Sequence, residues 1–136
     1  MIIKAPKDKK MSSPEDVAKL FHAILKTESK VDRDKEHLWV VGLKTSNSIL
    51  YIELATLGLL NQTLIAPREV FRLAIMKGCD SIIVVHNHPS GKALPSPGDR
   101  ATMKSLRAAG RILGIEMKDF MIIGDGYWSA AESGYH

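Results

Sequence analysis

Two histidines, a serine and an aspartate stand close together in the second half of the chain: His86, His88, Ser96 and Asp99. Side chains at positions i and i+2 of an extended strand point to the same side, so both imidazoles can face one ion. The ten residues 89–98 are enough for the chain to fold back and bring Asp99 to that ion. Two imidazoles, a carboxylate and a water fill a tetrahedral shell with one exchangeable position, which is typical of catalytic zinc. The spacing therefore predicts metal-assisted hydrolysis.

Ser96 and Asp99 also fit a structural role. Ser-x-x-Asp with Pro97 between them is typical of a helix N-cap and its reciprocal partner. On those residues alone capping is the better interpretation. The upstream histidines favour the metal, because a cation beside the positive end of a helix dipole needs a compensating carboxylate. Ser96 can still cap the helix while Asp99 binds the metal.

The composition indicates one compact domain. The chain has 136 residues, of which 45% are hydrophobic, and this is enough for one sizeable core. Its apolar runs are shorter than the roughly 20 residues that span a bilayer, and its amino terminus lacks the apolar core of a secretory signal. We therefore expect a cytoplasmic protein. Cys79 is the only cysteine, which excludes an intramolecular disulfide and a cysteine-rich zinc finger.

Most of the net charge of +4 lies at the amino terminus. Four lysines and one aspartate leave the first ten residues with a charge of +3. We expect residues 1–12 to be a basic, disordered tail and residues 13–136 to be the single domain. The total charge is therefore a poor guide to partners.

Hydrophobic periodicity and capping residues predict alternating helices and strands. Helices are expected over 13–28, 67–77 and 96–113, and strands over 38–43, 49–55, 82–85, 115–123 and 127–130. The two strands before residue 57 should form a hairpin. The four β-branched apolar residues at 82–85 are typical of a strand covered on both faces, as in a sheet with helices on each side. His86 would then emerge at the carboxyl end of that strand.

The segment from His86 to Asp99 resembles the motif of a known family. The pattern His86-x-His88, seven residues, Ser96, two residues, Asp99 is similar to the JAMM motif of MPN-type metalloproteases. A resemblance to the RadC family, bacterial relatives historically labelled DNA repair proteins, rests on three strings: His86-Asn87-His88-Pro89-Ser90-Gly91, Pro67-Arg68-Glu69 and Ile122-Ile123-Gly124. It covers about residues 13–134.

This resemblance implies an α/β fold: a cytidine-deaminase-like three-layer sandwich, with a mixed β-sheet and helices on both faces. It also implies zinc held by His86, His88 and Asp99, with water as the fourth ligand. A glutamate from an earlier strand should act as the base. Glu36, just before the apolar run at 38–43, matches the family's position for that glutamate, and Glu53 and Glu69 are competitors.

The resemblance further implies an enzyme, a zinc-dependent hydrolase that cleaves an amide or isopeptide bond in a peptide or protein substrate. Glu36 would take a proton from the zinc-bound water, whose pKa the metal lowers toward ~7, and later protonate the leaving amine. The hydroxyl of Ser96 would stabilise the oxyanion, the role that JAMM proteins assign to this position.

An alternative function is a DNA repair or recombination accessory protein that keeps the zinc fold as a binding scaffold. Its nucleic-acid contacts would come from a basic stripe on the third helix, formed by Arg100, Lys104, Arg107 and Arg111. An ordinary amphipathic helix also has such a solvated face, and this is the simpler interpretation. A homodimer is left open, and no membrane contact is expected.

Three positions depart from the RadC pattern. Ala66 and Phe120 stand where the family often has histidine, and Leu59 replaces a frequent threonine. These changes leave the predicted zinc ligands untouched. They bear instead on the substrate pocket and on full activity.

Overall fold

The computed structural model describes residues 1–6, 8–58 and 65–135. Along these residues the elements are, in chain order, β1 (Ile2–Ile3), α1 (Pro14–Lys26), α2 (Lys30–Arg33), β2 (His37–Leu43), β3 (Ile49–Leu57), α3 (Pro67–Lys77), β4 (Ser81–Asn87), α4 (Pro97–Leu113), β5 (Glu116–Ile123) and β6 (Tyr127–Ser129). The three long helices and the five later strands lie where the sequence predicts them. The four-residue α2 is too short to produce a helical periodicity.

The strands form one mixed sheet in the order β1-β3-β2-β4-β5-β6. β4 and β5 are parallel and are joined by α4, whereas the other neighbouring pairs are antiparallel. Parallel neighbours need such a crossover because the chain must return to the same end of the sheet. The carboxyl end of β4 and the amino end of α4 therefore lie at the same end of the sheet.

Helices cover both faces of this sheet, as the sequence predicted. On one face Phe21 of α1 packs against Trp39, with ring centroids 4.9 Å apart. On the other face Phe71 of α3 and Leu106 of α4 pack against the strands. Strand side chains alternate between the two faces, with odd-numbered residues of β2 and β4 toward α1 and even-numbered residues toward α3 and α4. The α/β fold with helices on both faces is confirmed.

Local sequence sets the bounds of the helices. Ser13 and Ser96 each accept a hydrogen bond from the backbone amide three residues further on, and a proline follows each of them. α3 and α4 end at Gly78 and Gly114, which adopt left-handed backbone conformations with φ of 65° and 71°. These signals act between neighbours in the chain, which explains why the sequence predicted them.

The amino-terminal segment requires a correction. Residues 1–12 were expected to be a disordered tail, but β1 pairs with β3, with Ile2 opposite Glu53, and Met11 is buried. The physical reason is that β3 would otherwise present an edge of unpaired N–H and C=O groups. A short strand can cover that edge whatever its flanking charges. Within the described residues, no helix is both long and apolar enough to cross a membrane.

Candidate metal centre

The strand register brings Glu36 beside His86. β2 and β4 are antiparallel, with Leu38 opposite His86, so the residue positions just before β2 lie beside those just after His86. Both Glu36 and His86 are even-numbered and face the side of the sheet covered by α4. The Oε1 atom of Glu36 lies 3.6 Å from Nε2 of His86. The base predicted from the resemblance is therefore next to the predicted ligands.

A backbone carbonyl fixes the orientation of His86. Its Nδ1 atom donates a hydrogen bond to the carbonyl oxygen of His37 at 2.8 Å, so the Nε2 lone pair is directed toward the carboxylates. This Nε2 atom is buried and has no hydrogen-bond partner within the described part of the chain. It lies 3.6 Å from Oε1 of Glu36 and 3.6 Å from Oδ1 of Asp99. A buried nitrogen between two carboxylates without a hydrogen bond has the environment of a metal ligand.

His88 is oriented in the same way by the loop that follows it. Its Nδ1 atom donates to the carbonyl oxygen of Lys92 at 2.9 Å, and its Nε2 atom lies 3.0 Å from Oδ2 of Asp99. The loop is itself attached to the turn between β5 and β6, because the amide of Asp125 donates to the carbonyl of Gly91. The imidazole rings of the two histidines meet edge to face, with centroids 5.1 Å apart.

Asp99 faces both histidines from the first turn of α4. Its side chain accepts a hydrogen bond from the amide of Ser96 at 2.9 Å, and the Ser96 hydroxyl accepts one from the amide of Asp99 at 3.1 Å. This is the capping box that the sequence offered as the structural interpretation. Asp99 also directs Oδ1 toward His86 and Oδ2 toward His88. The capping geometry and the approach to the histidines therefore coexist.

Glu36 belongs to a group of three residues in the described part of the chain that could hold a metal ion. One atom each from Glu36, His86 and His88 lie within 4.8 Å of one another. Oε2 of Glu36 is buried and makes no hydrogen bond within the described residues. The structure thus contains a Glu-His-His group that could hold a metal ion, with the Asp99 carboxylate in contact with both imidazoles.

The pKa values of the site reflect burial and the facing charges. Burial lowers the pKa of His86, against the effect of the Asp99 carboxylate. The hydrogen bond with Asp99 raises the pKa of His88. Burial acts to raise the pKa of Asp99, but the hydrogen bonds from His88 and Ser96 together bring it below its usual value. These shifts favour the anionic form of Asp99 and the neutral form of His86, which are the forms that bind a metal.

The two competing glutamates lie elsewhere. Glu53 of β3 is buried on the α3 side, where its Oε2 atom lies 3.7 Å from Nη2 of Arg72. Glu69 is exposed in the first turn of α3. Of the three glutamates considered from the sequence, Glu36 is the one that the fold brings to His86 and His88.

The departures from the family pattern have different structural settings. Phe120 is 1% exposed and packs in the core between the sheet, α3 and α4, so it is a packing residue rather than a pocket residue. Ala66 occupies the N-cap position of α3 and makes no side-chain capping bond. Leu59 lies outside the described residues.

No functional role was expected for Asn87 or His37 from the sequence. Asn87 accepts a hydrogen bond from the amide of His37 at 2.5 Å and donates one to the carbonyl of Lys35 at 3.1 Å. His37 is completely buried, stacks on Trp39 and lies 2.6 Å from Glu28. Period-two alternation does imply that Asn87 faces away from the histidines, but its partners depend on strand pairing, which the sequence does not specify.

The basic stripe lies along one side of α4. Arg100, Lys104 and Arg111 are exposed. The Arg107 guanidinium donates to the carbonyl of Tyr135 at 3.1 Å, and the Arg100 guanidinium lies 5.8 Å from the centroid of the Tyr135 ring. Near the carboxyl end of α4 the stripe borders a cavity of about 680 Å³, whose lining includes Arg107, Arg111, Lys118 and Tyr135 together with the acidic Asp80 and Glu116.

Known proteins resemble most of the chain. Residues 11–135 match the family model described as the RadC-like JAB domain. A UPF0758 protein of Caldanaerobacter subterraneus subsp. tengcongensis is 46% identical over 127 residues, which cover 93% of this chain and 52% of the relative. UPF0758 proteins of Shouchella clausii and Methanosarcina mazei are 41% and 40% identical, over 92% and 98% of this chain and 53% and 56% of their own lengths. The chain thus spans about half the length of the curated relatives that it matches.

Proposed function

Because the chain belongs to the RadC-like JAB domain family, we propose that it is a zinc-dependent hydrolase of the JAMM type, which cleaves an amide or isopeptide bond in a peptide or protein. One observation carries this proposal. The buried Nε2 atom of His86 faces one carboxylate oxygen of Glu36 and one of Asp99, each at 3.6 Å, and has no hydrogen-bond partner among the residues that the structure describes. Burial of a polar nitrogen without a hydrogen bond is costly, and a metal ion bound there would offset that cost.

We assign the metal ligands to His86, His88 and Asp99. Nδ1 of each imidazole donates to a backbone carbonyl, which directs Nε2 toward the metal. Asp99 presents one oxygen to each histidine, at 3.6 Å and 3.0 Å, whereas Glu36 lies 3.6 Å from His86 and has its ligand atom within 4.8 Å of that of His88. Two nitrogens and one carboxylate oxygen are donors that zinc accepts, and they leave one position for exchange.

We assign the role of general base to Glu36. A bound zinc ion supplies Lewis acidity, which polarises a carbonyl group and makes water easier to deprotonate. The carboxylate of Glu36 accepts the proton that the attacking water loses and later delivers it to the nitrogen of the leaving amine. Its partial burial excludes competing solvent, and its location beside His86 keeps the proton close to the reacting atoms.

Ser96 would complete the site. It precedes α4, with Asp99 in the first turn of the same helix, so the helix that holds the ligand also holds the hydroxyl. We assign this hydroxyl to the stabilisation of the oxyanion that forms as the carbonyl is attacked. The positive end of the α4 dipole acts in the same direction.

Metal analysis of ligand and base variants tests these assignments. Wild-type protein should bind one equivalent of zinc, and Asp99→Asn and His88→Ala, which remove ligands, should weaken binding by more than the roughly 100-fold upper limit for changes at outer partners of a metal site. Glu36→Gln should retain zinc but lose turnover on a mixture of peptides and isopeptides. Glu69→Gln, a change at an exposed glutamate outside the site, is the matched control and should behave as wild type.

The zinc-binding results distinguish the roles of Glu36 and Asp99. If Glu36→Gln lost zinc while Asp99→Asn retained it, the ligand and base assignments would be exchanged. If the wild-type protein bound no zinc after metal addition, the proposed function would be rejected. If the wild-type protein bound zinc but cleaved no component of the mixture, the hydrolase activity would be rejected and only metal binding would be retained.

A second candidate is a DNA repair or recombination accessory protein, favoured by the stripe on α4 and by the cationic groups of the adjoining cavity. Lys104→Glu with Arg111→Glu should weaken DNA binding and reduce its dependence on salt, because fewer counterions are released. Arg107 is left unchanged because it binds the carbonyl of Tyr135. Lys19→Glu with Lys30→Glu makes the same charge change at exposed positions outside α4 and is the control. Absence of DNA affinity at low salt would reject this candidate.

A further inference from the structure

Asn87 lies between the two histidines in sequence but faces the opposite side of the sheet. It is 3% exposed, and its carboxamide uses both of its ends. The Oδ1 atom accepts a hydrogen bond from the amide of His37 at 2.5 Å, and the Nδ2 atom donates one to the carbonyl of Lys35 at 3.1 Å. These two backbone groups belong to the residues immediately before and after Glu36.

The backbone of Glu36 is therefore bracketed by one side chain. The carboxylate has less support of its own, since Oε2 makes no hydrogen bond within the described residues and Oε1 lies 3.6 Å from His86. The location of this carboxylate depends on where its Cα atom is fixed. Asn87 fixes this Cα atom, and Asn87 belongs to β4, the strand that carries His86. The base and the ligand are therefore positioned by the same strand.

His37 makes further contacts that hold the segment around Glu36. Its ring stacks on Trp39 with centroids 4.7 Å apart and an interplanar angle of 17°, and its Nε2 atom lies 2.6 Å from Oε2 of Glu28. Its Nδ1 atom donates to the carbonyl of Lys35 at 2.8 Å. The segment around Glu36 is thus held from the α1 side, whereas its carboxylate acts on the α4 side.

We propose that Asn87 is a positioning residue for Glu36, with its carboxamide fixing the base relative to the metal ligands by bridging Lys35 and His37. This inference rests on the proposed function, because it assumes that Glu36 acts beside a metal held by His86. Asn87 faces the opposite side of the sheet from His86 and His88, so it is not assigned as a metal ligand. If its effect on the reaction passes through Glu36 and not through the contact of His37 with His86, the effect should vanish when the Glu36 carboxylate is removed.

Cobalt(II) loading tests this dependence without a known substrate. Wild type, Asn87→Ala, Glu36→Gln and the double variant are each loaded with one equivalent of Co²⁺, and their visible ligand-field spectra are compared at one pH. All four should bind Co²⁺ with affinities within about threefold, because the three assigned ligands remain. Asn87→Ala should alter the wild-type spectrum, whereas the double variant should have the spectrum of Glu36→Gln.

Turnover on the peptide and isopeptide mixture provides a second readout. Asn87→Ala should lower the rate by about 10–100-fold, the usual effect of removing an outer support of a metal site. On the Glu36→Gln background it should cause no further loss, since residues that act through one group are not additive. Ser81→Ala is the matched control. Ser81 is a buried polar residue at the other end of β4, and its hydroxyl makes no hydrogen bond within the described residues.

Asn87→Asp covers the case in which the alanine variant does not fold, because it keeps the shape and the acceptor but loses the donor to Lys35. Asn87→Asp should alter the Co²⁺ spectrum and lower the rate, as Asn87→Ala does. Identical spectra for wild type and both Asn87 variants would overturn the inference alone, as would a full Asn87 effect on the Glu36→Gln background. Failure of the wild type to bind Co²⁺ would overturn the proposed function and the inference with it.

Discussion

The Nδ1 atom of His86 donates a hydrogen bond to the carbonyl oxygen of His37 at 2.8 Å. This contact joins β4 to β2 beside the candidate metal centre, to which β4 contributes His86 and the residue just before β2 contributes Glu36. It fixes the tautomer of His86, and the residue that accepts the bond directly follows Glu36. The orientation of a ligand and the location of the base are therefore set by a single antiparallel strand pair.

Zinc should stabilise the folded protein, because the ligand cluster exists only in the native state. At a free zinc concentration of 100 times Kd the gain is about 2.7 kcal/mol, which corresponds to a rise in Tm on the order of 10 °C for a chain of this size. Thermal unfolding with zinc and with a chelator measures the difference. His86→Ala should show almost no shift between the two conditions, and a shift as large as that of wild type would contradict the ligand assignment.

Ser96→Ala should separate capping from catalysis. Loss of an N-cap hydroxyl costs about 0.5–2 kcal/mol of stability. Ser13→Ala is an internal control, because Ser13 caps α1 within the same Ser-Pro-x-Asp pattern. Urea unfolding should show similar losses for the two variants, whereas Ser96→Ala alone should reduce turnover. Equal turnover in both variants would restrict Ser96 to a capping role.

Gly91→Ala should weaken metal binding through the loop that orients His88. Gly91 has a φ of 92°, and a Cβ atom at this position would lie 2.7 Å from a carboxylate oxygen of Asp125. The exposed Asp125 side chain can move aside, but the backbone strain of a Cβ atom at this φ remains and would shift the loop. Such a shift would move the carbonyl of Lys92, which accepts the hydrogen bond from Nδ1 of His88. We expect a 10–100-fold loss of zinc affinity, measured by competition with a chelator.

The control for this loop prediction is Gly78→Ala. Gly78 also has a left-handed backbone conformation, but a Cβ atom there would have nothing within 4 Å. This variant should lose stability through backbone strain and keep the wild-type zinc affinity. If both variants lost zinc affinity to a similar extent, the effect of Gly91→Ala would be due to general destabilisation.

Asp119→Asn should change the dependence of stability on pH. Burial raises the pKa of Asp119, against the hydrogen bonds that it accepts from Ser129, Ala131 and Phe120. A carboxyl whose folded pKa lies above its unfolded value contributes stability below the unfolded pKa, and this contribution is lost as pH rises through the folded pKa. The stability of wild type relative to Asp119→Asn should therefore fall as pH increases from below 3.8.

Urea unfolding of both proteins across this pH range measures that difference. Titration of the remaining groups is shared by the two proteins and cancels in the comparison. If the stability of wild type relative to the variant increased as pH rises, the hydrogen bonds to Asp119 would outweigh its desolvation.

The sequence by itself determined the elements and the residues with candidate chemistry. The N-caps at Ser13 and Ser96, the glycine ends at Gly78 and Gly114 and the apolar run at 82–85 act between near neighbours, so their consequences are local and predictable. The His86-x-His88 spacing required only that both residues lie in an extended segment. Glu36 could be singled out only through the resemblance, because nothing in its neighbourhood distinguishes it from Glu53.

Tertiary structure decided how these elements meet. The pairing of β2 with β4 brings Glu36 to His86 and gives Asn87 its partners at Lys35 and His37. The edge of β3 pairs with β1, which belongs to the segment expected to be disordered. Each of these contacts joins residues about 50 positions apart. Their register follows from the burial of both faces of the sheet at once, which is a property of the assembled core and of no single segment.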